Sequence, residues 1–168
     1  EEPAISGRRG SITLFFPGCN LRCVFCQNHQ ISRREIVART PAVDLDVAAR
    51  AIEALIARGG HNLNFVSPSH MTRQMIAIVE ALRARGHRLP VVHNGNGYDS
   101  AATLRRLDGL VDIYMPDMKY GRDDAARECS GVGDYVATAS AALAEMRRQV
   151  GCGLDIGDDG AARRGILV

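Results

Sequence analysis

The sequence predicts an α/β fold with a mostly parallel sheet, and two observations support this. Short apolar, β-prone runs alternate with helical patterns, and each run ends at a turn that carries Gly, Pro or Asn. Strand–helix alternation produces parallel strands joined by right-handed crossovers. A doubly wound open sheet and a (βα) barrel, whole or partial, both satisfy the pattern. Both architectures bind ligands at the carboxyl ends of their strands.

We expect five strands, at residues 11–16, 62–66, 89–93, 110–115 and 165–168. The helical patterns between them cover residues 41–59, 72–85, 100–107 and 134–150. In the first helix, apolar residues recur at helical spacing, and Asp44 or Asp46 is the candidate N-cap. Ser100 is the candidate N-cap of the third helix. The polar residues that follow the strands then meet at one edge of the sheet.

The composition is that of one globular domain. The chain has 168 residues, of which 46% are hydrophobic and 24% charged, so disordered, collagen-like and coiled-coil classes are excluded. The net charge is only +2, which gives no argument for nucleic acid as a partner, and no apolar run is long enough to cross a membrane. Of the 21 cationic residues only Lys119 is a lysine.

The two ends of the sequence also bear on domain organisation. It starts with Glu1-Glu2-Pro3, without a Met or a secretory signal pattern, and it stops inside the last predicted strand. We therefore expect residues 1–168 to be a single domain and a fragment that lacks its C-terminal part, and hence incomplete as a catalyst.

Three of the five cysteines, Cys19, Cys23 and Cys26, form a C-x3-C-x2-C pattern directly after the first strand. Cysteines this crowded are poorly placed for mutual disulfides and are typical of a metal centre in a reducing compartment, which indicates the cytoplasm. Three thiolates can hold three irons of a cubane cluster and leave the fourth iron open to a ligand.

A structural zinc site is the alternative interpretation of this loop. His29 would complete a C-x3-C-x2-C-x2-H ligand set, and structural zinc usually takes four Cys or His ligands. Such sites more often pair two separate knuckles, and no second knuckle exists, so the ligand pattern favours the cluster. Cys129 and Cys152 have no partner spacing and are interpreted as ordinary thiols.

The motifs resemble those of the radical S-adenosylmethionine (SAM) superfamily, and within it the pyruvate formate-lyase activating enzymes. Residues 13–28 read Thr-Leu-Phe-Phe-x-Gly-Cys-Asn-Leu-Arg-Cys-x-x-Cys-Gln-Asn, with Phe25 before the last cysteine. Weaker segments follow in the expected order: Gly-His-Asn-x-Asn at 60–64, Pro-x-His at 68–70, Asp-Gly-x-Val-Asp-Ile-Tyr-x-Pro-Asp-x-Lys at 108–119 and Glu-Met-x-Arg-Gln-Val-Gly at 145–151. The resemblance covers essentially the whole chain.

The resemblance implies a fold, cofactors and partners. The fold is a partial (βα) barrel of radical SAM type, truncated after about four βα units and a fifth strand. Cys19, Cys23 and Cys26 would hold a [4Fe–4S] cluster, and SAM would bind its open iron. The activity implied is that of a radical oxidoreductase that cleaves SAM to a 5′-deoxyadenosyl radical. The partners implied are a glycyl-radical enzyme as substrate and an electron donor such as flavodoxin or ferredoxin.

The same resemblance assigns roles to residues at the strand ends. Asp117 and Lys119 form the Asp-x-Lys of the family and are the candidate catalytic pair; the alternative is a solvated ion pair. The residues expected to bind cofactor are Phe25, Asn28, Ser67, Ser69, His70, Asn94, Asp117 and Lys119.

Two of these assignments depart from the family pattern. The family carries a Gly-Gly-Glu-like turn after the second strand, where this chain has Ser67-Pro68-Ser69-His70. Serine hydroxyls could accept hydrogen bonds from the SAM ammonium, or Ser69 could simply cap the next helix. The segment Asn94-Gly95-Asn96-Gly97 is by default a tight turn after the third strand. Asn94 could bind a ribose but lacks an acidic charge, while His93 is interpreted as a strand residue rather than a base.

Overall fold

The structure is a computed structural model that describes residues 2–168. It contains one six-stranded sheet. The strands are β1 (Ile12–Phe15), β2 (Leu63–Val66), β3 (Val91–Gly95), β4 (Ile113–Pro116), β5 (Leu154–Ile156) and β6 (Ala162–Ile166). Their order across the sheet is β1-β2-β3-β4-β6-β5, and every neighbouring pair is parallel except β5 with β6. The predicted α/β class is confirmed, and the sheet is consistent with a partial radical SAM barrel.

Helices and one 3-10 turn connect the strands. They are α1 (Pro3–Ser6), α2 (His29–Ser32), α3 (Arg34–Arg39), α4 (Leu45–Ala57), the 3-10 helix Pro68–Met71, α5 (Thr72–Ala84), α6 (Ala101–Arg105), α7 (Asp123–Ser130) and α8 (Tyr135–Val150). Asp44 is the N-cap of α4, since its Oδ1 accepts from the backbone N–H groups of Asp46 (2.9 Å) and Val47 (3.2 Å). Ser100 precedes α6 but makes no side-chain cap hydrogen bond.

The sheet separates two apolar layers, because successive strand residues point to opposite faces. On one face, Phe65 and Tyr114 pack with Met75 of α5 and Met146 of α8 in the main core. Val92, Ile113 and Ala162 lie in a smaller cluster that includes Ile5 of α1. The helices therefore fix the sheet from one side and leave its carboxyl edge free for loops.

The end of the chain differs from the expectation of a single fifth strand at 165–168. The structure has a hairpin there, in which β5 pairs antiparallel with β6, and β6 joins β4 through Ile113–Gly165 and Tyr114–Ile166. Within β6, Arg163 and Arg164 are exposed and adjacent, so the segment lacks the continuous apolar run that signals a buried strand. The length of β6 is set by its antiparallel pairing with β5.

The third strand also starts and ends two residues later than predicted. Pro90 has no N–H to donate to a ladder, and β3 begins only at Val91. Asn94 and Gly95, expected as a turn, are the last residues of β3 and pair with Met115 and Pro116. No helix among residues 2–168 is long and apolar enough to cross a membrane.

Candidate functional site

The carboxyl edge of the parallel strands borders a cavity of about 410 Å³. The residues that line it come from the cysteine loop and from the ends of β2, β3 and β4: Cys19, Cys23, Phe25, Cys26, Gln27, Asn28, Val66, Ser67, Asn94, Gly95, Asn96, Asp117 and Lys119. All the site residues predicted from sequence lie here except Ser69 and His70. The structure thus brings together residues that are a hundred positions apart.

The cysteine loop is fixed by the end of α7, which the sequence did not predict as a helix. The backbone N–H of Arg22 donates to Ser130 O (3.1 Å), and that of Val24 donates to Cys129 O (2.8 Å). The hydroxyl of Ser130 donates to Cys23 Sγ at 2.8 Å and lies 2.5 Å from the hydroxyl of Tyr120. Both Ser130 and Tyr120 are buried, so Cys23 receives this hydrogen bond away from solvent.

Cys19 receives two hydrogen bonds suited to a thiolate. The backbone N–H of Leu21 lies 3.4 Å from Cys19 Sγ, and the Asn96 amide lies 3.6 Å from it. Burial raises the pKa of the Cys19 thiol, while these two donors oppose that increase. Asn96 also donates to Asn20 Oδ1 at 2.7 Å, which ties the loop to the end of β3.

The donor set fits an iron–sulfur cluster better than the zinc alternative. All five cysteines are free thiols, and the three of the motif line one cavity. Across residues 2–168, no three His, Cys, Asp or Glu side chains form a group that could hold one metal ion. Thiolates that bind three different irons of a cubane need not converge on a single point. His29 is exposed, lies outside the cavity lining and places Nδ1 3.3 Å from Cys26 O.

A tyrosine hydroxyl holds the loops after β3 and β4 together. Tyr135 Oη lies 2.8 Å from Asn96 O and 3.2 Å from Asp117 O, and it accepts from the backbone N–H of Lys119 (3.0 Å). Gly97 makes this approach feasible: its φ is +78°, and a Cβ there would lie 2.2 Å from Asp117 O. Alanine at this position would combine backbone strain with a collision.

Asp117 and Lys119, two residues apart just after β4, form a side-chain ion pair. Partial burial lowers the pKa of Lys119, but the hydrogen bond and charge of Asp117 outweigh it, so the pKa of this ammonium is raised. Lys119 is therefore charged at neutral pH. The Asp117 side chain is 54% exposed, compared with 23% for Lys119, so the carboxylate retains open acceptor positions at the cavity.

Ser69 and His70 lie elsewhere. Ser67, with φ +47°, leads into the 3-10 helix, and the two residues that follow Pro68 line a second cavity of about 310 Å³. Its other lining residues are Asn20, Tyr98, Asp99, Ser100, Thr103 and Thr138. His70 Nε2 donates to Pro17 O at 2.9 Å, and the Thr72 hydroxyl donates to Ser69 O at 2.9 Å. The structure does not bring either predicted side chain to the cysteine cavity.

His93 is a strand residue, as expected, and lies within β3. It is 1% exposed, and burial lowers its pKa. Its Nε2 lies 3.8 Å from Asp99 Oδ1, which is beyond hydrogen-bond distance. The functional contacts that sequence reasoning missed are those of Asn96, Ser130, Tyr120 and Tyr135. The Asn-Gly-Asn-Gly segment at 94–97 indicated only a turn, and the other three had no sequence signal.

Comparison with known proteins identifies the family. Residues 13–159 match the family model of the Radical SAM superfamily, which is most of the chain, so the chain belongs to the radical SAM superfamily. Members of this superfamily generally use a [4Fe–4S] cluster and SAM. An uncharacterized protein of Methanocaldococcus jannaschii is 32% identical over 128 residues, which cover 74% of this chain and 38% of that relative. The chain thus spans about 38% of that relative's length.

Proposed function

We propose that this chain binds a [4Fe–4S] cluster through Cys19, Cys23 and Cys26 and is the radical SAM domain of an enzyme that cleaves SAM reductively, to generate a glycyl radical on a partner enzyme. When bound, the cluster and SAM supply the one-electron chemistry that breaks the S–C5′ bond and yields a 5′-deoxyadenosyl radical. The observation that carries the proposal is the single cavity shared by the three cysteines, Asn94, Asp117 and Lys119.

The chain's own residues would hold and orient these groups. Hydrogen bonds from Ser130 to Cys23, and from the Leu21 N–H and the Asn96 amide to Cys19, would stabilise thiolate charge. Ser130 is buried, so its hydroxyl is shielded from competing hydrogen bonds with water.

The strand ends would bind SAM on the other side of the cavity. The exposed oxygens of Asp117 and the Ser67 hydroxyl are acceptors suited to the SAM ammonium, and Asn94 can hydrogen-bond its ribose. Lys119, charged and held by Asp117, is suited to the SAM carboxylate. Phe25 and Asn28 line the same cavity on the loop side. Ser69 and His70 are left out of this set because they line the second cavity.

Anaerobic reconstitution with iron and sulfide tests the cluster assignment. We expect brown protein with broad absorbance near ~400 nm and stoichiometric iron and sulfide, since a cubane absorbs there. Cys19→Ala, Cys23→Ala and Cys26→Ala should each abolish both the cluster and SAM cleavage, because two thiolates do not hold a cubane firmly. Cys129→Ala and Cys152→Ala are the matched controls and should retain both.

Two outcomes would contradict the proposal. Colourless protein that holds one zinc would favour the structural zinc site. A Cys23→Ala protein that cleaves SAM at the wild-type rate would show that the ligands are assigned wrongly.

A further inference from the structure

We propose that the second cavity, beside Ser69, His70 and Asp99, binds a small organic ammonium compound such as an amino alcohol; this inference does not rest on the proposed function. The cavity volume of about 310 Å³ lies at the lower end of the range of about 300–1,000 Å³ found for small-molecule sites. Liquid water takes about 30 Å³ per molecule, so the cavity has room for an organic compound. It shares no lining residue with the cysteine cavity, where the proposed function places SAM.

The carboxylate of Asp99 indicates the charge of the ligand. Asp99 lines the cavity and is only 2% exposed. Its Oδ2 has no hydrogen-bond partner among residues 2–168, and its Oδ1 lies 3.8 Å from His93 Nε2, which is beyond hydrogen-bond distance. Within the same residues no Lys or Arg lines the cavity. A buried carboxylate is costly unless it is paired, so this cavity favours a cation.

Two further polar atoms of the lining residues indicate that the cation carries N–H donors. Ser69 Oγ and His70 Nδ1 are buried and have no hydrogen-bond partner in the described part of the chain. His70 Nε2 donates to Pro17 O at 2.9 Å, so Nδ1 of the neutral ring is an acceptor. The Ser69 hydroxyl can accept or donate. A primary ammonium has three N–H donors and matches this set, whereas a carboxylate ligand offers only acceptors.

The rest of the lining favours an organic cation over a metal ion. Ser100, Thr103 and Thr138 add hydroxyl groups to the cavity, and these can hydrogen-bond a hydroxyl of the ligand. Across residues 2–168, no three His, Cys, Asp or Glu side chains group closely enough to hold a metal ion. A compound with an ammonium group and a hydroxyl group uses both the carboxylate and the hydroxyls of this cavity.

Calorimetric titration with ethanolamine, 2-amino-1,3-propanediol and putrescine tests the proposal. We expect at least one of these amines to bind at a single site, and we expect no binding of ethylene glycol, which has hydroxyls but no ammonium. Asp99→Asn should weaken amine binding about tenfold or more, because it removes the charge that pairs with the ammonium. The matched control is Asp155→Asn, which makes the same change at an exposed carboxylate outside the cavity and should alter affinity by less than about twofold.

A second variant, Ser69→Ala, retains the Asp99 charge and covers the case in which Asp99→Asn misfolds; it should weaken amine binding about threefold or more. The inference is wrong if none of the three amines binds, if Asp99→Asn and Asp155→Asn lose affinity equally, or if potassium chloride binds in place of the amines. Competition with SAM on the reconstituted protein gives an independent check. Simultaneous binding of SAM and the amine supports two separate sites, whereas displacement of the amine by SAM would assign this cavity to SAM and overturn the inference.

Discussion

Individual hydrogen bonds to the cysteine sulfurs affect the charge that those sulfurs carry. The Ser130 hydroxyl makes the shortest of these hydrogen bonds, to Cys23. It donates to Cys23 Sγ at 2.8 Å and lies 2.5 Å from the Tyr120 hydroxyl; Ser130 and Tyr120 are buried, and Cys23 is half-buried. A hydrogen bond to a ligand sulfur withdraws charge and favours the reduced state of the centre, as second-shell contacts do in other metal sites.

We therefore expect Ser130→Ala to lower the reduction potential of the reconstituted centre. The expected shift is up to about 60 mV, which corresponds to roughly a tenfold change in the equilibrium constant of a one-electron couple. A redox titration followed by electron paramagnetic resonance measures it. Ser100→Ala is the control, because that exposed serine contacts no cysteine; an unchanged potential in Ser130→Ala would mean that the hydroxyl only supports the loop.

At the scale of elements, the close approach of the loops after β3 and β4 depends on the absence of a side chain at Gly97. Gly97→Ala adds strain at φ +78° and places Cβ 2.2 Å from Asp117 O and 2.8 Å from Tyr135 Oη. Gly109 has φ +76° and nothing within 4 Å of an added Cβ, so Gly109→Ala adds strain without collision.

Gly109→Ala should lower the free energy of unfolding by about 1–2 kcal/mol, and Gly97→Ala should lower it further because the loops must move. Since that movement displaces Asp117 and Lys119, Gly97→Ala should also weaken SAM binding while Gly109→Ala should not. Denaturant unfolding and equilibrium binding measure the two effects. Equal losses of stability with unchanged SAM binding would show that the loops absorb the extra atom.

The comparison of elements also explains what the sequence could predict. Short apolar runs that end at turns identified β1 to β4, helical spacing of apolar residues identified α4 and α5, and an Ala-rich segment closed by Gly151 identified α8. The helix α7 was missed because it is short and largely charged, and it buries only two small side chains, Ala126 and Ser130. The strand β5 is defined by pairing with β6 rather than by its own residues.

The candidate site, like the fold, was predictable only where a local sequence pattern exists. The cysteines were predicted from their C-x3-C-x2-C spacing, whereas Asp117 and Lys119 were predicted from the resemblance to the family's Asp-x-Lys. Ser69 and His70 were expected at this site, but the left-handed conformation of Ser67 and the 3-10 helix after it place them at another cavity. Ser130 and Tyr135 reach the site only through the tertiary packing of α7 and α8, which no local pattern encodes.

For the molecule as a whole, the proposed function raises the question of which substrate the radical would attack. The connections between β2 and α5 and between β3 and α6 are short, at residues 67–71 and 96–100, so these loops give the cavity no long cover. A glycine-containing loop of a partner enzyme would have to enter the cavity in extended form, which requires an uncovered entrance. The observation also fits a small substrate, so the two cases require a direct measurement.

Electron paramagnetic resonance on reduced, SAM-loaded mixtures distinguishes these substrates. With candidate glycyl-radical enzymes from the same source, we expect a doublet glycyl signal that requires the wild-type protein. The Cys26→Ala variant is the control and should give no signal, because it cannot hold the cluster. If no candidate acquires a radical while small molecules stimulate 5′-deoxyadenosine release, the activase assignment is wrong and the radical SAM assignment stands.

The contacts between the cysteine loop and the end of α7 also bear on when, relative to translation, a cluster could assemble. Arg22 and Val24 are bonded to Ser130 and Cys129, more than a hundred residues later in the chain. A nascent chain that has just emerged past Cys26 carries all three thiols but not the partners that shape their loop. Iron and sulfide delivered at that stage would meet a loop without these contacts, so on the proposed function we expect the cluster to assemble after translation and folding of α7.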